Sequence, residues 1–172
     1  MQSLIIGLRV IHILTGVFWV GTMLFTTFYL FPVLGAAGPA AAGPVMSGLQ
    51  KRGFMTSLPV AAVLTLLSGM TLLQLTSGGS MSAFLRSRVG ATFAVAGLIA
   101  LLAFVLGIAV SRPAAMTSAR LSQQLGAVTD PGERERIQQQ IRALQKRAMT
   151  VSRIVAAMLI VTAIGMSVAR YM

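Results

Sequence analysis

The stretch SLIIGLRVIHILTGVFWVGTMLFTTFYLF, residues 3–31, decides the fold. Its only acidic or basic side chains are Arg9 and His12. About 20 consecutive apolar residues in a helix cross a hydrocarbon core of about 30 Å, and this run exceeds that length. A helix is the expected form, because it satisfies its own backbone polar groups where no water can. Three more stretches of this kind follow, at residues 54–76, 89–110 and 149–171. The first span is expected to end at Pro32, and the Gly/Ala/Pro-rich segment VLGAAGPAAAGPVMSG (residues 33–48) to form a loop. The second is expected to stop at SGGS, residues 77–80.

Composition agrees with lipid as the solvent. The chain of 172 residues is 56% hydrophobic and only 10% charged, against about 25% charged in soluble domains. Too few polar groups exist to cover its apolar surface in water. There is no cysteine, hence no disulfide and no thiolate metal site. The first span is too long for the apolar region of a cleaved leader, and nothing basic precedes Arg9, so it is expected to be retained. The net charge of +11 would suggest nucleic acid in a soluble protein. Here the basic residues cluster between apolar spans, which indicates topology and contact with anionic headgroups and excludes a nucleic-acid role.

The basic residues also orient the chain. Lys51, Arg52, Arg112, Arg120, Arg134, Arg136, Arg142, Lys146 and Arg147 fall on one side, whereas Arg9, Arg86, Arg88 and Arg170 fall on the other. The richer side is expected to be cytoplasmic. Both termini are then outside, in the periplasm if a second membrane is present, with the inner (cytoplasmic) membrane of a bacterium as the location. Between spans three and four, Pro113 is expected to kink the helix. The segment AAMTSARLSQQL (residues 114–125) continues it as far as Gly126. In DPGERERIQQQIRALQKRAM, residues 130–149, Asp130 suits a cap, Pro131 the first helical position, and Glu133 stands three residues after the cap. Ile137, Ile141, Leu144 and Ala148 share one face. Helix four is therefore expected to start near Pro131 and run unbroken to the C-terminus. The expected fold is all-α: one transmembrane domain over residues 1–172, an integral membrane four-helix bundle whose third and fourth helices extend into a cytoplasmic hairpin at about 112–148. Small residues four apart (Gly90 and Ala94, Ala103 and Gly107, Ala163 and Ser167) fit ordinary bundle packing.

For function, the informative face is on helix one. Arg9, His12, Gly16, Trp19 and Met23 recur at spacings of three and four, which places them on one stripe. His12 is the only histidine and Trp19 the only tryptophan. An ionisable side chain within a span is costly and marks a candidate site. Met70 on helix two and Met166 on helix four are expected at similar depth. Imidazole plus thioether is an axial pair for haem iron, and both groups suit copper. The competing structural reading makes His12 an interfacial residue bonded to a carbonyl or to Ser/Thr, Arg9 a snorkelling cation, Trp19 packing and Met a flexible filler. The three acids, Asp130, Glu133 and Glu135, all lie between spans three and four. That excludes a carboxylate relay across the membrane and a paired-acid hydrolase.

The string R-x-x-H-x(6)-W-V-G, residues 9–21, resembles a superfamily of small bacterial membrane proteins. It includes the copper-resistance CopD-like proteins and the HemJ type of protoporphyrinogen oxidase. KRGFMTSLPVAAVLTLLSGMTLL (residues 51–73) and the closing MSVARYM (residues 166–172) extend the likeness to most of the chain. The resemblance implies a four-helix membrane protein. HemJ-type proteins are associated with haem b, and their helix-one histidine, preceded at three residues by a basic residue, matches His12 and Arg9. The later histidine and arginine of that segment and a third-helix lysine are absent here. CopD-like proteins are linked to copper uptake, and the likeness is closest to their branch of unassigned activity. The expected function is haem or copper handling through His12, with Met70 or Met166 as second ligand. The alternatives are an accessory or structural subunit of a larger membrane complex, or a homo-oligomer with that role, and more distantly an oxidase of HemJ type.

Overall fold

The computed structural model describes residues 2–172, with side chains throughout except at residues 39 and 40. Six helices and no strand are found among the described residues. Four are long: α1 (Gln2–Ala37), α3 (Phe54–Thr76), α5 (Arg88–Leu125) and α6 (Pro131–Tyr171). Two are short: α2 (Pro39–Lys51) and α4 (Met81–Arg86). Each long helix has the length and apolar composition to cross a membrane. At 1.5 Å per residue they measure about 54, 35, 57 and 62 Å in chain order.

The ends of these helices follow from local chemistry. Asp130 accepts the backbone N–H of Glu133 at 2.7 Å, and Pro131 stands at the first helical position. Ser87 accepts the N–H of Gly90 at 3.1 Å and so caps α5. Gly53, at φ 76°, turns the chain into α3 through a left-handed conformation open to glycine without strain.

Two expectations need correction. Pro32 does not end the first helix: the chain stays helical to Ala37 by way of a π turn over Thr26–Leu30. There the N–H of Phe31 reaches back five residues to Thr26. The second correction concerns residues 33–48, which are helical on either side of Gly38 rather than a loop. Alanine is the best helix former, Gly38 at φ 79° supplies the break, and Pro39 opens α2. The third long helix passes Pro113 by the same device, with a π turn over Gly107–Ser111 and the N–H of Arg112 on Gly107.

The four long helices form a ring. α1 packs along α3, α3 against α5, α5 against α6, and α6 back against α1. The core is narrow. Trp19 from α1 is only 4% exposed and is buried among Ala61 and Ala62 of α3, Ala100 and Ala103 of α5, and Val155 and Leu159 of α6. One large ring fills a space that α3 and α5 leave by presenting alanine. It meets the Phe104 ring in a perpendicular, edge-to-face pair, with centroids 6.3 Å apart and an interplanar angle of 87°. The outer surface is dominated by exposed large apolar side chains, including Leu14, Val17, Leu67, Val95, Leu101 and Ile164. Beyond the ring, Arg112–Leu125 continues α5 and packs against the first half of α6 as a helical hairpin.

Candidate functional site

The α1–α3 contact carries the only histidine. The two helices run antiparallel, so residue numbers in contact sum to about 80: His12 meets Ser68, Thr15 meets Thr65, and Gly16 lies against Thr65. His12 Nδ1–H donates to the carbonyl oxygen of Thr65 at 2.8 Å. A carbonyl can only accept, so the proton sits on Nδ1. Ser68 Oγ gives its own hydrogen to Leu64 O at 2.6 Å. It thus turns a lone pair toward Nδ1 at 3.3 Å. Below this, Thr65 Oγ1 shares its one hydrogen between Thr15 Oγ1 and Ala61 O, each at 2.8 Å, and Thr15 Oγ1 donates to Ile11 O at 2.8 Å. Both hydrogen bonds of the ring use Nδ1, and Nε2 has no partner among the described residues.

Gly69 makes room for this ring. A Cβ built at position 69 would stand 2.7 Å from His12 Cε1 and 3.1 Å from Nδ1, closer than van der Waals contact permits. The imidazole therefore occupies the space that a side chain would take. Thr65, Ser68 and Gly69 fall on one face of α3 at spacings of three and four, aimed at α1. None was singled out as a site residue from sequence. The one signal available was the small pair Ser68-Gly69 within an apolar run.

The other sequence candidates are placed as follows. Trp19 lies two turns along the same face of α1, buried in the core. Arg9 is exposed near the start of α1. Met70 follows Gly69 but stands about 140° around α3 from Thr65, at 100° per residue. It is 72% exposed and borders a hollow with Leu73, Gln74, Ser77 and Met81 rather than with His12. Met166 is half-buried; one residue before it, Gly165 sits against Ala96 of α5. Among the described residues, no group of three or more His, Cys, Asp or Glu gathers at one point.

In comparisons with known proteins, no family model, curated protein or solved structure matches the chain.

Proposed function

We propose that this is a membrane protein that holds haem b through Nε2 of His12. The observation that carries this reading is the state of the imidazole. A metal-ligating histidine usually gives its other ring N–H to a carbonyl, carboxylate or water, which fixes tautomer and ring orientation. His12 does this with Thr65. A porphyrin brings four of the iron's ligands, so one protein imidazole is enough to anchor it. Copper needs its set from the protein, and with Met70 on the far side of α3 a single imidazole favours haem over copper. Haem bound there would supply a one-electron redox centre. The chain's own part is to present Nε2 and to fix the ring through Thr65, Ser68 and Gly69.

The test is the visible spectrum and the metal content of the protein purified from membranes in mild detergent. A Soret band is expected in the wild type, lost in His12→Ala and unchanged in Met70→Leu. A colourless, iron-free protein would overturn the proposal. Copper in place of iron would return the assignment to the copper branch of the resemblance.

A second reading, an accessory subunit of a larger membrane complex, is favoured by one feature: the hairpin carries α5 and α6 well past the length a bilayer needs. Crosslinking in native membranes followed by size analysis decides it, and a lone monomer counts against it. In either reading the location we propose is the bacterial inner membrane with both termini outside. The support is the nine basic residues on the hairpin side against four on the other.

A further inference from the structure

We propose that the cleft between α5 and α6 at the base of the hairpin binds the headgroup of an anionic phospholipid, with Arg147 on its phosphate. The cleft has a volume of about 160 Å³, between Ala109, Pro113 and Thr117 on α5 and Leu144 and Arg147 on α6.

Its depth suits a lipid. The apolar run of α5 ends at Val110, and that of α6 begins near Met149. The cleft sits at that boundary, where headgroups lie. Its walls are divided accordingly: Pro113, Ala114 and Leu144 offer apolar contact, whereas Arg147 and Thr117 offer hydrogen-bond donors. Arg112 and Lys146 flank the cleft in sequence, and both are exposed. No acid opposes them. α5 contains none, and the nearest on α6, Glu135, is twelve residues from Arg147, about 18 Å along the helix. An arginine fork on a phosphate is among the stronger protein hydrogen-bonding arrangements.

The π turn adds selectivity. The N–H of Arg112 is given to Gly107, five residues back, and Pro113 has no N–H. The carbonyl of Ala109 therefore has no donor four residues on, and Ala109 lines the cleft. A cation beside a carbonyl that lacks its usual donor four residues on fits a phosphodiester that also carries hydroxyl donors. Phosphatidylglycerol has both, whereas phosphatidylcholine has neither a net negative charge nor a headgroup donor.

The test is native mass spectrometry of the full chain released from nanodiscs of phosphatidylcholine containing phosphatidylglycerol. Phosphatidylglycerol is expected to be retained by the wild type and by Arg134→Gln, which makes the same charge change far out on the hairpin. Retention is expected to fall about tenfold in Arg147→Gln, as for loss of a charge-assisted hydrogen-bond pair. Thr117→Val removes a donor without altering charge, and is expected to weaken retention as well. Added inorganic phosphate is expected to leave the bound lipid in place. Equal losses in Arg134→Gln and Arg147→Gln would show diffuse attraction and overturn the site. Unchanged retention in both Arg147→Gln and Thr117→Val would also overturn it. So would displacement by inorganic phosphate, which would make a soluble anion the ligand.

Discussion

A methyl group at position 69 would collide with His12, whereas one at position 21 would meet nothing within 4 Å. The two glycines therefore predict opposite signs. Gly69→Ala must push the imidazole out of its notch or force α1 from α3, and overpacking of this kind costs about 1–3 kcal/mol. Gly21→Ala only gains helix propensity, about 0.5–1 kcal/mol in its favour. Thermal unfolding in detergent checks both, and equal shifts would refute the notch. Under the haem reading, Gly69→Ala also loses the Soret band while Gly21→Ala keeps it. Thr27 offers a third test at this scale. Its side chain is buried, and its hydroxyl has no partner among the described residues. Thr27→Val keeps the shape and removes the unsatisfied group, so it is expected to stabilise by about 1 kcal/mol. A fall in unfolding temperature would show that the hydroxyl is held in the membrane. At this scale the sequence marked His12 and Trp19 as one face, and they do share the face of α1 that meets α3 and the core. It did not mark Thr65 or Ser68. A hydroxyl in an apolar helix normally returns to its own helix four residues back, as Thr65 does to Ala61 and Ser68 to Leu64. Nothing in the residue type reveals that a carbonyl of the same turn also serves a neighbouring helix. Met70 was drawn in by depth alone, and helix phase, which depth ignores, turns it outward.

The two π turns are one device used twice. Each occupies five residues, is followed by one residue and then by proline, and has the residue before proline bonded five back. Because Phe31 and Arg112 reach past the usual acceptor, each helix crosses its proline without breaking. This is why Pro32 misled as a stop signal: proline forbids one bond and one packing of the preceding turn, and a single wider turn answers both. The segment after it misled for a related reason. Its glycines and prolines suggest a loop, yet alanines occupy five of residues 36–42, and only Gly38 takes a left-handed angle. The start of α6, by contrast, was fully legible, since Asp130, Pro131 and Glu133 are local signals that need no tertiary partner. They yield a prediction at this scale. Asp130→Ala removes the carboxylate that accepts the Glu133 N–H and should cost about 1 kcal/mol of cap stability. Because the cap lies in the hairpin, the loss should be local. Hydrogen exchange is expected to quicken over residues 133–138 and remain unchanged over residues 150–165. Uniform quickening would mean that hairpin and bundle unfold as one unit.

For the molecule as a whole, helix lengths and charge combine into one geometric statement. α3 at about 35 Å fits a hydrocarbon core of about 30 Å with little excess. α6 at about 62 Å exceeds even the full bilayer, headgroups included, by about 20 Å. Its surplus lies at the end that begins with Pro131, because residues 131–148 are polar and charged whereas residues 149–171 form the apolar span. There it lies beside the surplus of α5, and together they carry Arg112, Arg120, Arg134, Arg136, Arg142, Lys146 and Arg147. The loop joining α3 to α4 lies at the opposite end of the ring, next to the chain termini, as the contact of Thr92 with Met172 also requires. Positive residues resist translocation, so the hairpin end should face the cytoplasm and the Ser77–Ser80 turn the outside. The absence of cysteine makes this directly testable, since Ser80→Cys and Thr129→Cys each introduce one thiol at an exposed site. In intact spheroplasts a membrane-impermeant maleimide is expected to label Ser80→Cys at once and Thr129→Cys only after permeabilisation. The reverse pattern would invert the protein and place the His12 end of the bundle in the cytoplasm. The basic hairpin would then face outward, against the charge distribution that orients every span.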